Sequence, residues 1–155
     1  MSKILVAYFS ASGETVRLTK TLAGVIGGDL FEIRPQTAYT AADLDWNNAK
    51  SRSSVEMNDP KSRPAMVETP RLTGYDTVFV GFPIWWYQAP RIIQTFLESA
   101  DFSGKTVIPF ATSGGSGMGK TLAGLKAVCP KANWIEGKMV NGLSDQALRD
   151  WAESV

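Results

Sequence analysis

The chain has 155 residues, 44% hydrophobic and 20% charged, and 16 basic against 15 acidic side chains give a formal charge of +1. That length suits one domain over residues 1–155, and no Lys/Arg run stands out that would track a phosphate backbone, so nucleic acid is not an expected partner. With no histidine and a single cysteine, Ser-His-Asp hydrolysis, histidine-ligated zinc and an internal disulfide are excluded. No catalytic side chain or metal site is therefore expected, and chemistry is left to a bound cofactor.

Met1-Ser2-Lys3 leads directly into the apolar, β-favouring run Ile4 to Phe9. This reads as a central strand covered on both faces, and the start does not resemble a signal peptide. The polar turn Ser10 to Gly13 precedes apolar residues at Leu18, Leu22, Val25 and Ile26, one face of a helix that Gly27-Gly28 stops. A second strand is expected over about Leu30 to Arg34, ending at Pro35. Weak periodicity around Asp43 to Met57 suggests a helix, followed by an irregular stretch with Pro60, Pro64 and Pro70. The whole connection from Thr37 to Gly74 is long for a compact domain, and such segments more often cover a site than serve as simple links.

Thr77 to Phe82 is the next buried strand, and Ile92, Ile93, Phe96 and Leu97 form the inward stripe of the helix after it. Thr106 to Ala111 repeats the strand signal, and Leu122, Leu125 and Val128 repeat the helix signal. Cys129 reads as a small apolar residue near that helix end. A last strand is expected near Trp134 to Val140, with Ser144 capping a closing helix that carries Leu148 and Trp151. No apolar run is long enough to cross a bilayer, so a cytoplasmic protein without membrane contact is expected. Five strands alternating with about five helices indicate a parallel, doubly wound α/β sheet. In such sheets the loops beyond the carboxyl ends of the strands gather a ligand where strand order reverses.

Three of those loops carry chemistry. Ser10-Ala11-Ser12-Gly13-Glu14-Thr15 offers hydroxyls and amides at a helix N-terminus without a cation. That suits a monophosphate better than a triphosphate, although Ser12 or Gly13 could simply cap the helix. Pro83-Ile84-Trp85-Trp86-Tyr87 places adjacent aromatics on a loop between strand and helix, where they can wall a planar ligand or pack over the sheet edge. Thr112-Ser113-Gly114-Gly115 opens a glycine-rich loop whose backbone can approach a heterocycle. Gly114 to Thr121 also matches the P-loop pattern for nucleoside triphosphates. No acidic residue ends the neighbouring third strand to organise Mg²⁺, since it closes with Gly81-Phe82-Pro83 and Asp76 lies at its other end, and only 34 residues follow Thr121, so that reading is remote.

Taken together, Ser10-x-Ser12-Gly13-x-Thr15, Pro83-Ile84-Trp85-Trp86 and Thr112-Ser113-Gly114-Gly115 resemble the three FMN loops of the flavodoxin family. The likeness is closest to its shorter members with Pro-Ile-Trp and Thr-Ser-Gly-Gly loops, and it covers nearly the whole chain. It implies a three-layer, doubly wound, parallel five-stranded sheet of order 2-1-3-4-5. It also implies an FMN phosphate on Ser10, Ser12, Gly13, Glu14 and Thr15. Pro83, Ile84 and Trp85, with Trp86, would border the isoalloxazine, and Thr112, Ser113, Gly114 and Gly115 would contribute backbone contacts.

The implied function is electron transfer to a redox partner protein or a small-molecule acceptor, by a monomer or homodimer. With an indole against the ring and no Lys/Arg nearby, the reduced flavin is expected to be a strong reductant. The alternative is an NAD(P)H-dependent quinone or nitro reductase with a pocket over the flavin, in which Arg52 and Arg63 meet an anionic substrate. Solvated surface charge is the other reading of those two arginines.

Overall fold

The computed structural model describes residues 3–10, 14–45, 47–59, 61–85, 88–112, 121–135, 137–140 and 143–155, with backbone alone at Glu14. In chain order the elements are β1 (Lys3–Tyr8), α1 (Glu14–Ile26), β2 (Asp29–Glu32), α2 (Arg52–Asn58), β3 (Tyr75–Pro83) and α3 (Arg91–Glu98). They continue with β4 (Thr106–Thr112), α4 (Thr121–Val128), β5 (Asn133–Trp134), β6 (Lys138–Met139) and α5 (Asp145–Ser154). The sheet runs β2-β1-β3-β4-β5 with every named pairing parallel, and β6 also pairs with β4. The expected order is therefore present. Strand order reverses between β1 and β3.

Alternation along the strands sorts the core into two layers. Leu5, Ala7, Phe9, Val78, Val80 and Phe82 face a cluster with Ile92, Ile93, Phe96 and Leu97 of α3 and Leu125 of α4. Val6, Phe79, Ile108 and Phe110 face the other way, toward Leu18 and Leu22 of α1 and Leu148 of α5. Burying each Val, Leu, Ile or Phe side chain among these contributes about 1.5–3 kcal/mol. Gly27, at φ 69°, takes the left-handed turn that ends α1. Gly81 makes room for Phe110, because a Cβ there would lie 2.3 Å from the ring. Ser144 caps α5, its hydroxyl accepting from the Ala147 N–H at 3.1 Å.

Two expected elements differ. The strand expected over Trp134 to Val140 is broken into β5 and β6, and Pro109 supplies the reason. The carbonyls of Val107 and Ala111 accept from Ile135 and Val140 at 3.0 and 2.9 Å, so alternate residues of β4 point toward this strand. Pro109 lies between them and has no N–H to give. The ladder opens there, and an extra residue is accommodated: Trp134 pairs with Val107, whereas Lys138 pairs with Phe110.

The helix expected over Asp43 to Met57 is reduced to α2. Asp45 and Asn48 accept from the N–H groups of Asn47 and Lys50 at 3.1 and 2.9 Å. These local turns divert the backbone from helix until Ser51 caps α2 by accepting from the Ser54 N–H.

Candidate functional site

β1, β3 and β4 end side by side, and hydrogen bonds beyond the strands hold their loops together. The Phe9 N–H donates to Gly81 O at 2.9 Å, and the Ile84 N–H donates to Thr112 O at 2.8 Å. Thr15, one residue into α1, and Thr112, the last residue of β4, share a hydroxyl–hydroxyl hydrogen bond of 2.9 Å. Both are buried, at 1% and 4% exposure. Ninety-seven positions separate them in the chain, so this contact is a product of the fold. The pair carries two O–H donors and their mutual bond uses one, which leaves a hydrogen to be donated elsewhere.

An antiparallel bridge between Trp85 and Gln88, here termed the hairpin, closes the aromatic loop. Trp85 and Gln88 exchange backbone hydrogen bonds, the Trp85 N–H to Gln88 O at 2.9 Å and the Gln88 N–H to Trp85 O at 3.0 Å. Ile84 is buried beneath it, while Pro83 and Trp85 are half-buried. The Trp85 indole meets Phe9 edge-on at 5.9 Å between ring centroids and Tyr39 at 5.5 Å. Trp85 is thus anchored in the core on one side rather than standing free.

Of the residues singled out by sequence, Ser10, Thr15, Pro83, Ile84, Trp85 and Thr112 lie at this edge. Ser12, Gly13, Trp86, Ser113, Gly114 and Gly115, with most of the Gly114 to Thr121 pattern, lie outside the described residues, as does the Glu14 side chain. Among the described residues no cluster of ligating side chains could hold a metal ion.

Sequence reasoning missed Tyr39 and Arg91. Tyr39 packs between Phe9, at 5.6 Å, and Trp85. The Arg52 guanidinium stacks on its ring 3.8 Å from the centroid, and its hydroxyl donates to Glu56. Burial first, and then that hydrogen bond and the Glu56 charge, hold the hydroxyl pKa well above the usual tyrosine value. Arg52 also pairs with Glu56 at 3.0 Å and donates to Thr37 O at 2.6 Å. Arg63 pairs with Glu98 at 2.7 Å. Arg52 is thus engaged within the 37–74 segment, and Arg63 joins that segment to α3. Arg91 is buried and donates to Gln88 Oε1 at the end of the aromatic loop at 3.3 Å. No local pattern marks either residue: a lone tyrosine in a polar stretch and an arginine after a proline both read as surface.

A family model described as Flavodoxin matches residues 3–155. The chain belongs to the flavodoxin family. Among solved structures, this flavodoxin-family chain is similar to a "putative flavoprotein" from Bacteroides eggerthii DSM 20697. Identity is 54%, the TM-score is 0.95, and the match covers 100% of this chain and 98% of that one. A second, from Bacteroides uniformis ATCC 8492, is 52% identical with a TM-score of 0.94 and 98% of each chain covered. A flavoprotein in complex with FMN from Lactobacillus acidophilus NCFM shares the fold, at 21% identity and a TM-score of 0.77 over 98% of this chain and 99% of that one. Among curated proteins nothing matches.

Proposed function

We propose that this flavodoxin-family chain binds one FMN non-covalently across the ends of β1, β3 and β4 and serves in electron transfer. The observation that carries the reading is the buried Thr15–Thr112 hydroxyl pair, bonded at 2.9 Å where the three loops meet. Its chemistry fits the cofactor: hydroxyls and the N–H groups opening α1 suit a phosphate monoester, and the loop Ser10 to Thr15 holds no cation to favour a triphosphate. A similar fold holding FMN in the Lactobacillus flavoprotein agrees.

Ser10, Ser12, Gly13, Glu14 and Thr15 would hold the phosphate. Pro83, Ile84, Trp85 and Trp86 would border the isoalloxazine, and Thr112, Ser113, Gly114 and Gly115 would contact its polar edge. The bound flavin supplies the one- and two-electron chemistry. The chain's own part would be to orient the ring and keep water from its inner side, a role that the burial of Phe9 and Ile84, at 1% and 8% exposure, would support. Electron transfer is preferred over NAD(P)H-dependent reduction because Arg52 and Arg63 are occupied by Glu56 and Glu98 instead of awaiting an anionic substrate.

The visible spectrum of the purified protein, and its titration with FMN, test the cofactor. A colourless protein that takes up no FMN but binds ATP with Mg²⁺ would overturn the reading. NADPH oxidation with a quinone, without a reductase partner, tests the role: rapid turnover would transfer the preference to the reductase.

A further inference from the structure

Arg91 opens α3 directly after Pro90, yet only 5% of the residue is exposed. A buried guanidinium has to find acceptors, and those it finds are informative. Its Nη2 donates to Met57 O at 2.8 Å and its Nε to Glu56 O at 3.3 Å. Both carbonyls belong to the last turn of α2, where the negative end of the helix dipole favours a cation, and Glu56 O also accepts from the Asp59 N–H at 3.2 Å. Its Nη1 donates to Gln88 Oε1 at 3.3 Å. Gln88 is the residue whose backbone closes the hairpin with Trp85. One buried side chain therefore ties the end of α2 to the base of the aromatic hairpin.

The opposite end of the same segment reaches the same hairpin by a separate route. Tyr39 lies against Trp85, and Arg52 and Glu56 fasten Tyr39 to α2. Segment and hairpin are thus joined at Trp85 by ring packing and at Gln88 by Arg91. The planar fork of an arginine can bond backbone carbonyls and a side-chain amide together, which a lysine's single ammonium cannot do with the same geometry.

We propose that Arg91 is a positioning residue for the cofactor site: acting through Gln88, it fixes the Trp85–Gln88 hairpin against α2 and so sets the wall that the isoalloxazine meets. This rests on the FMN reading. It assigns Arg91 no contact with the flavin.

The test compares wild type, Arg91→Lys, Gln88→Ala and the double variant. Arg91→Lys keeps the charge but not the fork; Gln88→Ala removes only the acceptor on the hairpin. Hydrogen exchange on the cofactor-free protein should show the Trp85 and Gln88 amides exchanging about tenfold faster in either single variant, with α5 unaffected. With flavin added, FMN and riboflavin affinities should fall by the same factor, since the phosphate loop is untouched, and the visible circular dichroism of the bound flavin should change. The double variant should be no worse than the poorer single one, because both changes break one link.

Faster exchange confined to α2, with hairpin amides and the flavin signal unchanged, would reduce Arg91 to a helix cap and overturn the proposal. Multiplying losses in the double variant would do the same. A wild-type protein that takes up no flavin would overturn the functional reading instead, while the exchange measurement, made without cofactor, still decides the tether.

Discussion

Replacing Thr15 with valine probes the point on which the site is built. The substitution keeps the branched shape but removes one hydroxyl from a pair buried at both ends, bonded at 2.9 Å and exposed by only 1% and 4%. In the cofactor-free protein Thr112 then loses its partner in a dry place, at a cost of about 1–3 kcal/mol. Valine at both positions leaves no orphan, so Thr15→Val/Thr112→Val should be less destabilised than the sum of its parts. On binding, a hydroxyl given to a phosphate is a charge-assisted hydrogen bond worth about 1.5–3 kcal/mol. At about 1.4 kcal/mol per tenfold, Thr15→Val should raise the FMN Kd roughly ten- to hundredfold. Riboflavin, which lacks the phosphate, should bind as it does to the wild type. Fluorescence titration with both flavins, together with urea unfolding of the three variants, measures all of this. Equal losses for FMN and riboflavin, or fully additive destabilisation, would refute the phosphate assignment and the coupling of the two hydroxyls, respectively.

Gly81→Ala would place a Cβ 2.3 Å from the Phe110 ring, which is fully buried and held against Trp151. A loss of about 1–3 kcal/mol in chemical unfolding is expected, part of it regained when Phe110 is shortened to leucine; no loss would mean that the ring can swing aside. Ser144→Ala removes the cap of α5 and should cost about 1 kcal/mol, lowering Tm by about 2–4 °C in a domain of this size. Tyr39 predicts an alkaline sensitivity. Because its folded pKa is raised above the ordinary 10.0, its contribution is complete below that pH. It fades above it, as the unfolded chain ionises alone, by up to about 1.4 kcal/mol per pH unit. Tyr39→Phe should therefore show a shallower fall of Tm above about pH 10 than the wild type, and identical slopes would contradict the burial and Glu56 contact assigned to that hydroxyl.

The parts of the site legible in the sequence are those dictated by the sheet. Near-continuous apolar runs mark β1, β3 and β4, and once the strands are placed, Thr15, Ile84 and Thr112 must fall together at their carboxyl ends. What could not be read there depends on contacts between distant segments. Pro109 breaks the fifth strand only because alternate residues of β4 face it, which is a matter of register. Arg91 sits at a helix start that from its neighbours alone looks solvated. Its burial follows from where the 37–74 segment comes to rest, and the weak periodicity of that segment does not announce its position.

The two halves of the site are consequently held by different forces. Its floor consists of strand ends locked by backbone hydrogen bonds, including Phe9 to Gly81 and Ile84 to Thr112, which cannot shift without opening the sheet. Its rim is fastened by side chains: the Tyr39 ring between Arg52 and Trp85, and the Arg91 fork between α2 and Gln88. Side-chain fastenings can be changed one at a time while the sheet stays intact. Under the proposed FMN reading, phosphate affinity would be set by the floor and the surface offered to the ring by the rim, so the two should be alterable independently. Thr15 and Arg91 are the residues at which that separation is to be measured.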